Sequence, residues 1–332
     1  MADILSVGTV GTGGIAQAHI RAIGENENIQ LVAAMDVVAE KAQAAAEKHN
    51  CKAYTNLDDL LNDPHVEAVH VCTPHSFHGK HVVAALKAGK HVLVEKPMAL
   101  TLEECDQMIA ASEESGKILM VGQVMRHYPV NLTIKKMIAD DVIGEVGHMM
   151  RRRYSYFDTI SPGSHYPAWY QNLEIGGVCV LYGFGSHEYD ILHWYMDSPV
   201  VSVYAQGSES TELYKGQKDS YTAIMNHENG AISVLSQSVV SHTGAHDQYI
   251  IGSKGSMMQI GDKLMLNGKE VEIDGSNSQG MTKQIWDFAD CCLIGRQPDA
   301  SGKSVRHTMA VIEAVKQSAE RNEKVDVAEF GV

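Results

Sequence analysis

A chain of 332 residues is more than one hydrophobic core comfortably organises, so two domains are expected, burying roughly three quarters of the unfolded surface. The 44% hydrophobic share is that of a globular protein, and no apolar run approaches the ~20 residues needed to span a bilayer. A formal charge of −14 repels nucleic acid and anionic membrane, so neither is expected as a partner.

The amino-terminal MADILSVGTV runs straight into a strand pattern without a basic flank or cleavage site, so the cytoplasm is the expected compartment. Six scattered cysteines with no CxxC pair argue against a disulfide framework and a structural zinc site, and are expected reduced and buried.

In chain order, ILSVGTV, IAQAHIRAIG, IQLVAAMD and VVAEKAQAAAEKH alternate strand and helix patterns, the signature of βαβ units on a parallel sheet. EAVHVCTP, SFHGKHVVAALKAG and HVLVEKP continue the alternation. LTLEECDQMIAASEESG is a helix with a capping box from Thr101 to Glu104 and a terminal Gly116, and ILMVGQV closes the sheet. The expected fold is therefore α/β: a doubly wound Rossmann domain over residues 1–123, then a second α+β domain over 124–332.

That second part opens on a helical pattern from Val130 to Ile143 and the strand EVGHMMRRRYSYF, whose Arg151, Arg152 and Arg153 read as a solvated strand edge. GVCVLYGFGSHEYD reads as a glycine-rich entry into a helix, with Ser186 a cap and His187 and Asp190 on one face. Locally, His187 fits a general base, a metal ligand or a hydrogen-bonded packing residue. Short β-rich segments follow, with an Asn229-Gly230 hairpin signal, and imply a large, mostly antiparallel open sheet whose outer face invites self-association. Helical patterns at Thr282–Ile294 and Val305–Ala319 finish the chain.

The first chemistry-bearing motif is GTGGIA: Gly11, Thr12, Gly13, Gly14, Ile15 and Ala16 lie between a strand and its helix, where glycines let backbone approach a pyrophosphate. The next strand ends in Asp36, about 20 residues on, where a carboxylate can bond ribose hydroxyls, although the same residue could cap the following helix. Val37 and Val38 follow it and offer nothing to neutralise a 2′-phosphate, which favours NAD over NADP as cofactor. A later strand ends in Thr73, Pro74 and His75, with His78 beyond, at the end of the sheet that faces a cofactor. For both histidines a packing or capping role stands beside contact with the nicotinamide side.

HVLVEKPMAL delivers Glu95 and Lys96 at a strand end and stops at Pro97. An ammonium fixed there, buried beside a positive nicotinamide ring, has its pKa lowered towards working pH, as hydride chemistry on an alcohol requires; a surface Glu-Lys pair is the alternative.

With these residues in order, and with VGQVMRHYP, the glycine pair 176–177, HEYDILHW and IIGSKGSM, the sequence resembles the glucose-fructose oxidoreductase and inositol dehydrogenase family, Gfo/Idh/MocA. The resemblance implies NAD(P)-dependent redox chemistry on sugars, cyclitols and related polyols, in homodimers or homotetramers. It also implies Lys96 and His187 as the catalytic lysine and histidine, and Gln123, Arg126 and His127 as contacts to the nicotinamide end or the substrate. Many members place an aspartate four residues before the histidine, where this chain has Gly183. Tyr182 takes that slot only if counted from the glycine pair. SPGSHYPAWYQN carries His165 and Trp169, candidates to line a sugar or cyclitol pocket, with loop and core roles equally open.

Three functions stay open on this reading: a dehydrogenase, a redox-neutral enzyme with bound NAD that acts by transient oxidation, and a non-catalytic NAD-binding regulator. No HExxH or comparable spacing marks a metal site.

Overall fold

The structure, a computed structural model, describes residues 4–158, 166–214 and 216–331. The elements begin β1 (Leu5–Val10), α1 (Gly14–Gly24), β2 (Ile29–Met35), α2 (Ala39–His49), β3 (Lys52–Tyr54), α3 (Leu57–Leu61), β4 (Ala68–Val71) and α4 (His78–Lys87). They continue with β5 (His91–Val94), α5 (Leu102–Ser115), β6 (Leu119–Val121), α6 (Pro129–Ala139), β7 (Val146–Tyr156), α7 (Leu173–Gly176), α8 (Ser186–Met196) and β8 (Val200–Ser208). The chain ends with β9 (Ser220–His227), β10 (Ile232–Ser238), β11 (Val240–Gly252), β12 (Ser256–Ile260), β13 (Lys263–Leu266), β14 (Lys269–Val271), α9 (Gly280–Ile294), α10 (Gly302–Arg321) and β15 (Val325–Asp326).

Two compact units divide these elements, residues 1–124 with 279–306 and residues 125–278 with 307–332. Gln279–Arg306 thus joins the first unit, although sequence reading places it with the second domain. The reason is packing: the Trp286 indole N–H donates to the Ala22 carbonyl on α1 at 3.0 Å, and Phe288 meets His70 of β4 edge-on. Helical periodicity shows a helix's apolar face without naming the surface that receives it.

The first unit is built on a six-stranded parallel sheet in the order β3-β2-β1-β4-β5-β6, the doubly wound arrangement read from the alternating pattern. Its central strands are buried on both faces: Val7, Val10, Val69, Val71, Val92 and Val94 are wholly inaccessible. The Thr101 cap forms, with the Glu104 N–H donating to Thr101 Oγ1 at 3.2 Å, while the Glu104 carboxylate accepts from the Thr101 hydroxyl rather than its backbone N–H, and α5 ends at Gly116 with φ +66°.

The second unit carries a nine-stranded sheet, β14-β13-β12-β11-β7-β10-β9-β8-β15, antiparallel except for β7 beside β10. This corrects the reading of the arginine run as a solvated strand edge. β7 lies mid-sheet, Arg151 points inward and is buried, and only Arg152 faces out, bonded to Asp247. Three successive arginines hide the alternation that a strand imposes on them. The Asn229-Gly230 turn joins β9 to β10 with Gly230 at φ +86°.

Candidate functional site

In the first unit, β1 runs into Gly11 at φ +93°, where a Cβ would sit 2.7 Å from the Cys72 carbonyl oxygen, so only glycine fits. Gly13 precedes α1 without a side-chain cap, and no acidic residue occupies the first turn. A Cβ on Gly13 or Gly14 would meet nothing within 4 Å, and Ile15 is exposed. An uncapped helix amino terminus with open space before it is the arrangement that receives a phosphate.

Asp36 lies beside it. Its Oδ2 accepts from the Thr12 N–H at 3.1 Å and the Thr12 hydroxyl at 2.9 Å, and Oδ1 accepts from the Val38 N–H. The helix cap is Val38, so Asp36 braces the glycine turn rather than capping α2. Val37 is 80% exposed and brings no cation to this point. These groups fit the diphosphate and ribose of a dinucleotide.

Thr73 and Pro74 follow β4, half-buried, and His75 is buried with its ring 5.8 Å from that of His78. His78 is fully buried; its Nδ1 lies 2.7 Å from the Pro97 carbonyl oxygen and its Nε2 2.9 Å from that of Thr73. Burial holds its pKa below the ordinary value. A ring nitrogen faces each carbonyl, and with one proton to give when neutral His78 donates to one of the two while packing between the ends of β4 and β5. Beyond β5, Lys96 is half-buried, precedes a cis peptide bond to Pro97, and its N–H donates to Glu95 Oε2 at 3.2 Å. Gln123, after β6, is fully buried.

In the second unit, the described residues before α8 form a π-helical stretch over Cys179–Gly185 that runs into the α-helix without a break. Ser186 is therefore no cap; its hydroxyl donates to the Tyr182 carbonyl at 3.0 Å. His187 is half-buried in the first turn of α8. Gly183 packs on a ring: a Cβ there would lie 3.2 Å from Tyr170 Cε1. Tyr182 is buried, with its hydroxyl 3.4 Å from Glu313. Trp169 stacks on Tyr170 at 4.0 Å, and Phe157 meets Tyr166, Tyr170 and Phe184, which makes one aromatic wall. His165 lies outside the described residues.

Arg126 has a structural partner that its sequence neighbourhood does not reveal. It donates from Nε and Nη2 to the two oxygens of Asp190 at 2.8 and 2.7 Å, with both side chains about 1% exposed, and Thr308 adds a third hydrogen bond to Asp190. His127, beside it, is half-buried.

Two family models match the chain, an oxidoreductase family described as an NAD-binding Rossmann fold over residues 5–123 and the GFO/IDH/MocA C-terminal domain over residues 131–258. The inositol 2-dehydrogenase of Salmonella typhimurium is 30% identical over 258 residues, 76% of this chain and 72% of that enzyme. The chain belongs to the Gfo/Idh/MocA oxidoreductase family.

Another Gfo/Idh/MocA relative, the 2,7-anhydro-N-acetylneuraminate hydratase of Mediterraneibacter gnavus, is 31% identical over 79% of this chain and 70% of its own length. Levoglucosan dehydrogenase, in complex with NADH and levoglucosan, shares the fold at a TM-score of 0.89 and 21% identity, covering 98% of this chain and all of that one. As a Gfo/Idh/MocA protein this chain is an oxidoreductase, and its first unit is the NAD-binding domain.

Two buried clusters of this Gfo/Idh/MocA chain escaped the sequence reading. Glu188 pairs with Arg151, and with Arg153 at 3.3 Å, while Arg151 also reaches Gln248 and His246 at 2.8 Å. Burial, opposed by Glu188, pushes His246 down to about 4. The other cluster joins His19, His70 and Glu95. A histidine in the apolar stripe of α1 and one inside the valine-rich β4 were the available signals.

Proposed function

We propose that the protein is an NAD-dependent dehydrogenase acting on a CH–OH group of a sugar, cyclitol or related polyol. The observation that carries it is the open glycine turn at the head of α1 with Asp36 beside it, on a sheet whose strand β5, two places from β1, presents Lys96 at its end. NAD, when bound, supplies the hydride acceptor. His187 accepts the hydroxyl proton and the Lys96 ammonium stabilises the negative charge growing on the substrate oxygen. Gly11, Thr12, Gly13, Gly14, Ile15 and Asp36 hold the dinucleotide, and the Asp36 carboxylate with no cation at Val37 favours NAD over NADP. Trp169, the Tyr170 beneath it and His127 line the substrate end; Arg126 shapes it through Asp190.

Two further assignments belong to this reading. The outer face of the second sheet presents a row of apolar side chains across neighbouring strands, Tyr204, Ile224, Met150 and Tyr249, each about 40–45% exposed, which supports a homodimer or homotetramer. Cys51 and Cys292 are half-buried and the other four cysteines are buried, with no disulfide among the described residues, which suits a reducing compartment such as the cytoplasm. Among the described residues no helix is long and apolar enough to cross a membrane.

A second reading keeps NAD bound through a redox-neutral elimination, hydration or epimerisation. Gly183, packed on Tyr170 where a side chain would intrude, and the hydratase relative support it. The test incubates the protein with NAD and a panel of sugars and cyclitols while following NADH and product structure, with Lys96→Ala as control. Net NADH that the mutation abolishes supports the dehydrogenase; product without net NADH supports the second reading.

A further inference from the structure

Behind the Lys96 strand end lies a chain of three buried polar groups that hydride chemistry does not itself require. His19, on the inward face of α1, is fully buried. Its Nε2 is 2.9 Å from Glu95 Oε1, and its Nδ1 is 3.1 Å from Nδ1 of His70, which is also fully buried. Strand alternation puts His70 on one face of β4 and its register partner Leu93 on the same face of β5, and two residues later Glu95 falls on that face too. Lys96, the next residue, lies close enough to act on the Glu95 carboxylate through its charge.

The Glu95 carboxylate makes Nε2 of His19 a donor. At the other contact one of the two imidazoles donates: with His19 as the donor it carries both protons as an imidazolium, and His70 accepts at Nδ1 and bears its proton on Nε2, a buried nitrogen with no partner among the described residues; with His70 as the donor His19 is neutral, and the ion pair with Glu95 favours the first. Gly122 at the end of β6 admits the carboxylate, since a Cβ there would lie 3.1 Å from Glu95 Oε1. Burial opposes the charge on His19, and the Cys72 sulfur and the Glu95 carboxylate outweigh it, holding the imidazole up to about 10. The charged and titratable groups that act on the pair are Cys72 and His70 from the β4 side, His78 from α4, and Lys96 itself.

We propose that His19 is a positioning residue: as an imidazolium it neutralises and fixes the Glu95 carboxylate, and through it sets the position and charge state of Lys96 from the helix whose head holds the cofactor. The inference deepens the dehydrogenase reading and rests on its assignment of Lys96. With the pair intact Lys96 sees a nearly neutral dipole. Without the imidazolium it sees a bare carboxylate that favours its ammonium, and without both groups that favour is lost.

The test reads Lys96 directly. The full-length chain is reductively methylated with 13C-formaldehyde, and the Lys96 dimethylamine resonance, assigned by its loss in Lys96→Arg, is titrated by NMR. We expect the Lys96 titration to move up by about one pH unit in His19→Gln, the size a unit charge several ångströms away produces at protein dielectric, and to return to its original position when Glu95→Gln is added. A purely structural pair gives no such shift and reversal. An unmoved titration in His19→Gln, or a shift that Glu95→Gln does not reverse, overturns the inference. Should His19→Gln fail to fold, His19→Asn is read in its place by the same two outcomes. Turnover of Lys96→Ala on the polyol panel separates the two claims: a reversible shift with full turnover rejects the role of Lys96 but not the coupling, and lost turnover with no shift rejects the coupling alone.

Discussion

Replacing Arg126 by methionine tests whether its guanidinium belongs to the protein or to the substrate. The side chain is about 1% exposed and holds both oxygens of an equally buried Asp190 at 2.7 and 2.8 Å. Removing one partner of such a pair leaves a buried carboxylate without its cation, which costs about 3–5 kcal/mol; the surviving Thr308 hydrogen bond places the loss near about 3. The assay is urea unfolding followed by tryptophan fluorescence, with Trp194, whose ring lies 5.9 Å from the guanidinium carbon, as a local reporter. Arg126→Met with Asp190→Leu removes the stranded charge and recovers most of the stability. A loss below about 1 kcal/mol, or a double variant no better than the single, refutes the reasoning. A higher KM with unchanged stability would instead restore Arg126 to the substrate.

Three further outcomes are expected. Gly11→Ala forces a Cβ to 2.7 Å from the Cys72 carbonyl at φ +93°, a strain of about 1–2 kcal/mol before any clash, and NAD affinity measured by fluorescence quenching falls at least about tenfold; unchanged affinity removes the glycine turn from the cofactor site. Asp36→Ala loses the carboxylate that braces Thr12 and repels a 2′-phosphate, so the NADP-to-NAD affinity ratio rises by about tenfold or more, and a constant ratio speaks against the assignment. The His19 imidazole, raised from about 6.5 unfolded to about 10 folded, contributes stability that is complete below pH ~6.5 and lost as pH climbs to about 10. The melting temperature accordingly falls more steeply between pH 7 and 10 in the natural protein than in His19→Gln, and parallel curves contradict that sign.

The elements legible in the residues were those whose physics is local. GTGGIA, Asp36 and Glu95-Lys96-Pro97 announce themselves because a turn, a strand end and a proline constrain only their own neighbours, and the alternation of strand and helix patterns suffices for a doubly wound sheet. The parallel contact of β7 with β10 and the fate of Arg151 are different in kind. They depend on which strand lies beside which, over separations that periodicity does not record.

The same boundary runs through the site. The residue types proposed to react were legible in sequence, Lys96 from its strand end before a proline and His187 through the resemblance to the family. Their surroundings were decided by tertiary structure. His19 meets Glu95 across 76 residues, Arg126 meets Asp190 across 64, and Gly183 borders a tyrosine ring from a separate helical turn. Buried charges must find partners wherever the fold brings them, because leaving one unpaired costs more than any local preference can return. Sequence alone therefore determined which chemistry the chain can carry, and the tertiary structure decided which charged side chains are available for it and which are bound to one another.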